Sequence, residues 1–317
     1  MSKAFVFPGQ GAQTVGMGRA LADAYPAAQA VFDEVDEALG EKLSALIWEG
    51  DQETLTLTEN AQPALMATSL AAMQALTAEG VGIETAAMVA GHSLGEYSAL
   101  AAAETLSVAD CARLLRLRGQ AMQAAVPVGQ GAMAAILGLD LDGVRKVAAR
   151  AGEYGVCAAA NDNDPGQVVV SGDARAVDRA VELAKESGAK RAMLLPVSAP
   201  FHCALMQPAA EAMAQALGQV DFHEPRVPLV SNVRADLVRD PAVIRSLLVE
   251  QVTGAVRWRE SVLFMAAHDV DEVWEIGAGK ALSGMVRRTS RDMAVRTVGT
   301  PDDVKAAVAA LAAEEGA

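Results

Sequence analysis

The run Gly91-His92-Ser93-Leu94-Gly95 constrains this chain more than any other stretch. The short apolar segment Ala86–Ala90 precedes it and a long Ala/Leu-rich helical stretch follows. Strand, glycine-flanked turn, helix is the order by which an α/β fold presents a side chain at the carboxyl end of a strand. The run matches G-x-S-x-G, in which a sharp turn pushes the serine hydroxyl into the open and glycines relieve the crowding. The helix that begins there aims its free N–H groups at the same point, so the Leu94 N–H is a candidate oxyanion donor. An ordinary glycine-rich turn with Ser93 as helix N-cap fits the same five residues.

The rest of the chain extends this α/β reading. Lys3–Phe7 is a buried strand that stops at Pro8-Gly9-Gln10-Gly11, and helices follow over Arg19 to Leu39, Gln62–Glu79 and Thr105–Met122. After Pro127 the pattern changes to a strand (Ala132–Leu139), helix (Gly143–Ala151), strands (Val156–Ala160 and Val168–Ser171), helix (Ala174–Ser187) and strand (Ala192–Val197). That βαββαβ order is the ferredoxin-like split unit. We read it as a small subdomain over residues 128–197, inserted into a larger α/β-hydrolase-like domain with a parallel sheet, made of residues 1–127 and 198–317. The chain returns through Ser198–His202. Then come a helix (Met206–Leu217), a strand near Val227–Val230, a helix around Pro241–Val252, a strand (Glu272–Ile276) and a last helix, Pro301–Ala313.

Composition excludes several function classes. An apolar content of 52% rules out a disordered chain. A net charge of −14 with 4% aromatic residues disfavours both a phosphate-backbone footprint and a base-stacking platform, so no nucleic-acid partner is expected. Cys111, Cys157 and Cys203 form no CxxC pair, against a disulfide framework or a zinc site. The N-terminus lacks the apolar core of a signal peptide, and no apolar run is long enough to span a bilayer. The expectation is a reduced, soluble, cytoplasmic protein with no membrane partner and no metal.

A serine nucleophile needs a base. The four histidines are His92, His202, His223 and His268. His92 adjoins Ser93, so its side chain diverges and reads as packing; His223 and His268 lie in polar, solvated contexts. His202, between Phe201 and Cys203 in the return loop, is the remaining candidate, although a lone histidine is as readily structural. Phe7–Gln13 fails as a G-x-G-x-x-G nest at Thr14, and Gly277-Ala278-Gly279-Lys280 fails as a P-loop at Trp274 and Ala281. Gln10, by backbone or side chain, is better read as an oxyanion-hole partner. Arg116 and Arg118 are two apart on a helix and face different ways, so one can point inward as a fork for a carboxylate. Two surface arginines fit the same spacing.

FPGQGAQ at the start, TENAQPAL at 58–65, GHSLGEYSAL at 91–100, RLRGQAMQ at 116–123, GAMAAILGL at 131–139, N-x-N-x-PGQVVVSG at 161–172, PVSAPFHCALM at 196–206 and EIGAGKAL at 275–282 together resemble one family. It is the malonyl-CoA:acyl carrier protein transacylases of fatty-acid synthesis, similar also to the acyltransferase domains of polyketide synthases. The resemblance implies two-step acyl transfer through malonyl-Ser93, with His202 as base, Leu94 and Gln10 as oxyanion donors and Arg118 on the malonyl carboxylate. It implies that a main-chain carbonyl at Gln251 orients His202. Phe201 fits a malonyl-selecting pattern, and Gln62, Asn161 and Asn232 match positions that line the family's site. No cofactor is implied, coenzyme A thioester being a substrate; the partners are malonyl-CoA and holo acyl carrier protein.

Two departures stand out: Asp164 within the Asn161–Gln167 motif, which bears on the shape of the subdomain's rim, and Ala278 in place of a proline. The family's carrier is typically acidic, so docking on this acidic chain calls for a local basic rim, with Lys190-Arg191 and Arg287-Arg288 plus Arg291 as candidates. A chain ending soon after the last helix, without fused synthase modules, leads us to expect fatty-acid synthesis and a monomer. A polyketide-type acyltransferase, a serine thioesterase or hydrolase, and a non-enzymatic carrier-binding scaffold are the alternatives. The hydrolase would ordinarily have a triad acid and no arginine in its pocket.

Overall fold

The computed structural model describes residues 1–197 and 199–315; Ser198 of the return loop and residues 316–317 lie outside the described residues. The strands, in chain order, are β1 Lys3–Phe7, β2 Met88–Gly91, β3 Gly131–Leu137, β4 Cys157–Asp164, β5 Gln167–Asp173, β6 Arg191–Leu194, β7 Leu229–Val230, β8 Leu237–Val238, β9 Glu272–Ile276 and β10 Ala294–Val298.

They form two sheets. The larger has the order β10-β9-β1-β2-β7-β8, parallel throughout except for the β7/β8 edge pair. Its central strands are apolar on both faces because helices cover both, as a parallel sheet requires. Phe5, Phe7, Val89, Trp274 and Ile276 enter one core, while Ala4, Val6, Met88, Ala90 and Val273 enter the other. Phe5 stacks on Trp274 of the neighbouring strand, with ring centroids 5.3 Å apart.

The smaller sheet is antiparallel, in the order β4-β5-β3-β6. Helices Leu141–Ala151 and Ala174–Glu186 supply the crossovers. This is the ferredoxin-like order anticipated from the sequence. The period of 2 along its strands divides the side chains between two environments. Ala134, Ile136, Val168 and Val170 pack with the two helices, whereas Met133, Ala135 and Val169 join the main core.

Several boundaries differ from the sequence reading. The stretch Arg19 to Leu39 is two helices, Arg19–Ala24 and Pro26–Leu39, separated by an extended Tyr25. Proline disfavours a helical conformation in the residue before it and suits the first helical position. In contrast, helix Thr58–Ala78 starts ahead of Pro63 and runs through it. Pro63 has no N–H to offer the Glu59 carbonyl four residues back. That carbonyl instead accepts from Arg116 Nη1 at 2.7 Å. Strands β8 and β10 and helices Leu43–Glu49, Trp258–Ala267 and Ala281–Thr289 were not anticipated. β8 is two residues long and depends on its partner strand for existence.

β4 also runs beyond Ala160 to Asp164, where it meets the large sheet's helices. The Asp162 N–H donates to the Val256 carbonyl at 2.9 Å, and the Val256 N–H donates to the Ala160 carbonyl at 2.9 Å. Arg259 Nη2 lies 2.8 Å from Asp162 Oδ2, and Arg288 Nε lies 2.8 Å from Asp164 Oδ2. The departure at Asp164 therefore provides an ion pair between the two sheets' elements. Replacing Arg259 with alanine leaves the buried Asp162 carboxylate without its counter-charge. Because Arg259 is partly solvated, the loss falls between exposed and buried pairs, about 2 kcal/mol. Urea unfolding of Arg259→Ala checks this, and adding Asp162→Asn should restore part of the loss; unchanged stability in the single variant would refute it.

Candidate active site

Ser93 sits between the end of β2 and helix Gly95–Ala102 with φ of 54°, in the left-handed region that a side chain normally avoids. The flanking glycines serve close packing. A Cβ on Gly91 would lie 1.9 Å from the Gly95 carbonyl carbon, and one on Gly95 would lie 2.2 Å from the Phe7 carbonyl oxygen. Asn232 ties the strained turn down. Its Oδ1 accepts from the Ser93 N–H at 2.8 Å and its Nδ2 donates to the Gly91 carbonyl at 2.6 Å. Asn232 thus lies behind the turn and is not among the residues that line the cavity. Its supporting role at the site is exerted through the Ser93 backbone.

His202 comes from the return loop, also with a left-handed φ of 58°. Its Nε2 lies 2.7 Å from Ser93 Oγ, and its Nδ1 lies 2.7 Å from the Gln251 carbonyl oxygen. A carbonyl only accepts, so Nδ1 holds the proton and Nε2 is left to accept from the Ser93 hydroxyl. Burial, reinforced by the Arg118 charge and opposed by the Gln251 hydrogen bond, lowers the His202 pKa to about 3. The imidazole is therefore neutral near pH 7 and available as a base.

Arg118 is the inward member of the arginine pair, 1% exposed. Nη1 donates to Gln62 Oε1 at 2.7 Å; Nη2 donates to Gln251 Oε1 at 2.8 Å and to Ser93 Oγ at 3.1 Å. The guanidinium lies over the Tyr97 ring, 5.7 Å from its centroid. Among the described residues it has no ion pair, and its Nε has no hydrogen-bond partner. Burial pushes its pKa down. Arg116 faces the other way and pairs with Glu41.

The dyad and Arg118 open onto a cavity of about 500 Å³, also lined by Gln10, Gln62, Leu94, Asn161 and Phe201. Gln10 Oε1 accepts from Thr58 Oγ1 at 2.9 Å, which ties off its side chain. The N–H groups of Gln10 and Leu94 have no acceptor among the described residues. Two unpaired backbone donors at one wall suit an oxyanion. His92 does diverge from Ser93, but it lines the cavity rather than serving as packing alone. Its Nε2 contacts Asn163 Oδ1 at 2.9 Å and its ring meets Trp258 edge to face. His223 and His268 are exposed, as anticipated.

Glu96 and the Gln251 side chain are the residues that sequence reasoning missed. A glutamate in the first turn of a helix reads as a solvated complement to the helix dipole. Here it is 1% exposed. Gln251 Nε2 donates to Glu96 Oε2 and to the Ser93 carbonyl. Among the described residues no group of His, Cys, Asp or Glu could hold a metal ion, and no helix is long and apolar enough to cross a membrane.

Comparison with known proteins agrees with this geometry. Residues 4–315 match the acyl transferase domain family. Malonyl CoA-acyl carrier protein transacylase of Bacillus subtilis (strain 168) is 48% identical over 316 residues, 99% of either chain. The chain belongs to the malonyl-CoA:acyl carrier protein transacylase family. The crystal structure of the acyl-carrier-protein S-malonyltransferase from Bartonella henselae is 55% identical with a TM-score of 0.96, covering 98% of this chain and 100% of that one. A malonyl-transacylase solved in complex with a type II polyketide acyl-carrier protein is 40% identical with a TM-score of 0.94, covering 97% of this chain and 99% of that one.

The state of His202 is directly measurable in this transacylase fold. In ¹⁵N-labelled protein, the imidazole signals of His202 should stay in the neutral, Nδ1-protonated form down to mildly acidic pH. A resonance that titrates with the usual histidine midpoint, about 6.5, would show that the site does not suppress its charge.

Proposed function

We propose that the chain transfers a malonyl group from malonyl-CoA to the phosphopantetheine thiol of holo acyl carrier protein, by way of malonyl-Ser93. The observation that carries this reading is the buried Arg118 guanidinium, without a carboxylate partner among the described residues, 3.1 Å from the Ser93 hydroxyl. A nucleophile with a fixed cation beside it suits an acyl group that ends in a carboxylate.

His202 Nε2 takes the Ser93 proton as Oγ attacks the thioester carbonyl. The Leu94 and Gln10 N–H groups stabilise the oxyanion. Collapse breaks the C–S bond, and the departing coenzyme A thiolate takes the proton from His202. The carrier thiol then enters, gives its proton to His202, attacks the ester carbonyl, and the proton returns to Ser93 Oγ. The Gln251 carbonyl holds the imidazole in the required tautomer. Gln62 positions Arg118, while Phe201 and Asn161 limit the space around the acyl group. No cofactor enters these steps, because coenzyme A is itself the leaving group.

An acetyl group would leave Arg118 without a charged partner. A hydrogen bond to a charged group is worth roughly 1.5–3 kcal/mol. Arg118→Ala should therefore lower kcat/KM for malonyl-CoA by roughly 10- to 150-fold and spare acetyl-CoA, which narrows the ratio of the two. An unchanged ratio would remove Arg118 from specificity. Mass spectrometry after brief exposure to malonyl-CoA should locate a malonyl adduct on Ser93 that disappears when holo acyl carrier protein is added. Equal decay without the carrier would make the chain a hydrolase, and no adduct would favour a scaffold.

The domain division that goes with this reading is residues 1–127 and 198–317 against 128–197, with the cavity between them. Helix Ala281–Thr289 lines that cavity through Ala281, Leu282 and Met285 and ends in basic residues. Arg288 is engaged with Asp164, whereas Arg287 and Arg291 are exposed, as are Lys190 and Arg191 on the subdomain. We assign carrier docking to this rim. Arg287→Glu with Arg291→Glu should raise KM for the carrier and leave KM for malonyl-CoA alone; equal effects on both would sink the assignment. Fatty-acid synthesis in the cytoplasm by a monomer is the setting we favour. The relative bound to a polyketide carrier keeps polyketide synthesis as the second reading.

A further inference from the structure

The Arg118 cation is compensated at one remove. Its Nη2 donates to Gln251 Oε1, and the same amide donates from Nε2 to the Glu96 carboxylate. Glu96 receives a second, longer contact from the Asn232 N–H at 3.4 Å. One amide is thus polarised between a buried cation and a buried carboxylate, and only one orientation of that amide satisfies both. No other carboxylate contacts Arg118 or Gln251 among the described residues.

We propose that Glu96 is the charge-balancing proton acceptor of this site: seating a carboxylate on Arg118 is accompanied by uptake of one proton at Glu96, with Gln251 carrying the coupling. This rests on the malonyl reading above. Above about pH 7, where Glu96 is ionised, the free enzyme's site holds one cation and one anion. A malonyl carboxylate adds a second anion to a region shut off from water, where uncompensated charge is costly. Protonating Glu96 restores the balance. The proton goes to Oε1, the oxygen without the Gln251 bond, and comes from solvent.

The titratable groups around Glu96 leave it as the one that responds. Burial raises its carboxyl to about 7, against the lowering effects of Gln251, Asn232 and the Arg118 charge. A bound carboxylate offsets the Arg118 contribution, so the value rises further on binding. Tyr97 on the same helix and Cys111 on helix Val108–Ala125 are pushed up and stay protonated. His202 and His92 are pushed down and stay neutral. Asn232 and Gln251 do not titrate. Glu96 is ionised above its value in the free enzyme, so binding at such pH draws a proton there, and affinity falls as pH rises.

Calorimetry of Ser93→Ala protein, which binds without turnover, tests the proposal. Malonyl-CoA is titrated about one pH unit above the Glu96 value, in buffers of different ionisation enthalpy, with acetyl-CoA as the reference that carries the same phosphates. Malonyl-CoA should take up close to one proton more than acetyl-CoA, and its Kd should weaken by up to about tenfold per pH unit above that value. Adding Glu96→Gln should abolish both effects. Malonyl-CoA binding with the same proton count as acetyl-CoA overturns the proposal, as does uptake that survives Glu96→Gln. Failure of malonyl-CoA to bind overturns the malonyl reading instead. If Glu96→Gln does not fold, infrared difference spectra of Ser93→Ala protein decide the matter: a new protonated-carboxyl C=O band on adding malonyl-CoA supports the proposal, and its absence refutes it.

Discussion

The hydrogen bond from His202 Nδ1 to the Gln251 main-chain carbonyl is the contact on which the site depends. It selects the imidazole tautomer and so makes Nε2 an acceptor for Ser93. It also helps join four separate parts of the chain, because Gln251 lies in the last turn of helix Pro241–Thr253 while its side chain reaches the Ser93 carbonyl, Arg118 and Glu96. A neutral carbonyl in the orienting position adds no charge to the neutral dyad. The region's anionic group is set one amide further away, at Glu96.

Two residues in left-handed conformations, Ser93 and His202, meet at the Nε2–Oγ contact on the other side of the imidazole. Such backbone costs of order 1–3 kcal/mol per residue and persists only where the surroundings over-determine it. Asn232 holds Ser93 from behind, and the close packing of Gly91 on Gly95 and of Gly95 on Phe7 leaves the turn no alternative path. The strain is what exposes the hydroxyl to the cavity.

The two sheets meet at the end of β4, where main-chain hydrogen bonds at Val256 and ion pairs to Arg259 and Arg288 hold the smaller sheet against the larger one's helices. This junction sets the cavity wall that Asn161, Met133 and Val169 provide. Alternation along β3 and β5 makes it possible, since one face of each strand feeds a local core while the other feeds the cavity and the main core.

Much of this was legible in the residues. The period-2 and period-3.6 patterns, with Gly and Pro punctuation, implied both sheets, the βαββαβ order and a serine at a strand-to-helix turn, because these depend on local sterics and on apolar faces that must be buried. Strands β8 and β10, the break at Tyr25 and the helix running through Pro63 were less legible. A two-residue strand exists only through its partner, and the carbonyl that Pro63 leaves free is satisfied by Arg116 from a distant helix. For the site, spacing showed that one of two arginines could turn inward but not which, and His202 had no local mark of its role. Family resemblance pointed to both. Tertiary structure alone decided that His92 lines the cavity, that Asn232 braces the turn from behind, and that Glu96 is a buried counter-charge. Burial and long-range hydrogen bonding are properties of the packed chain, and a polar side chain looks the same in sequence whether it faces water or an arginine.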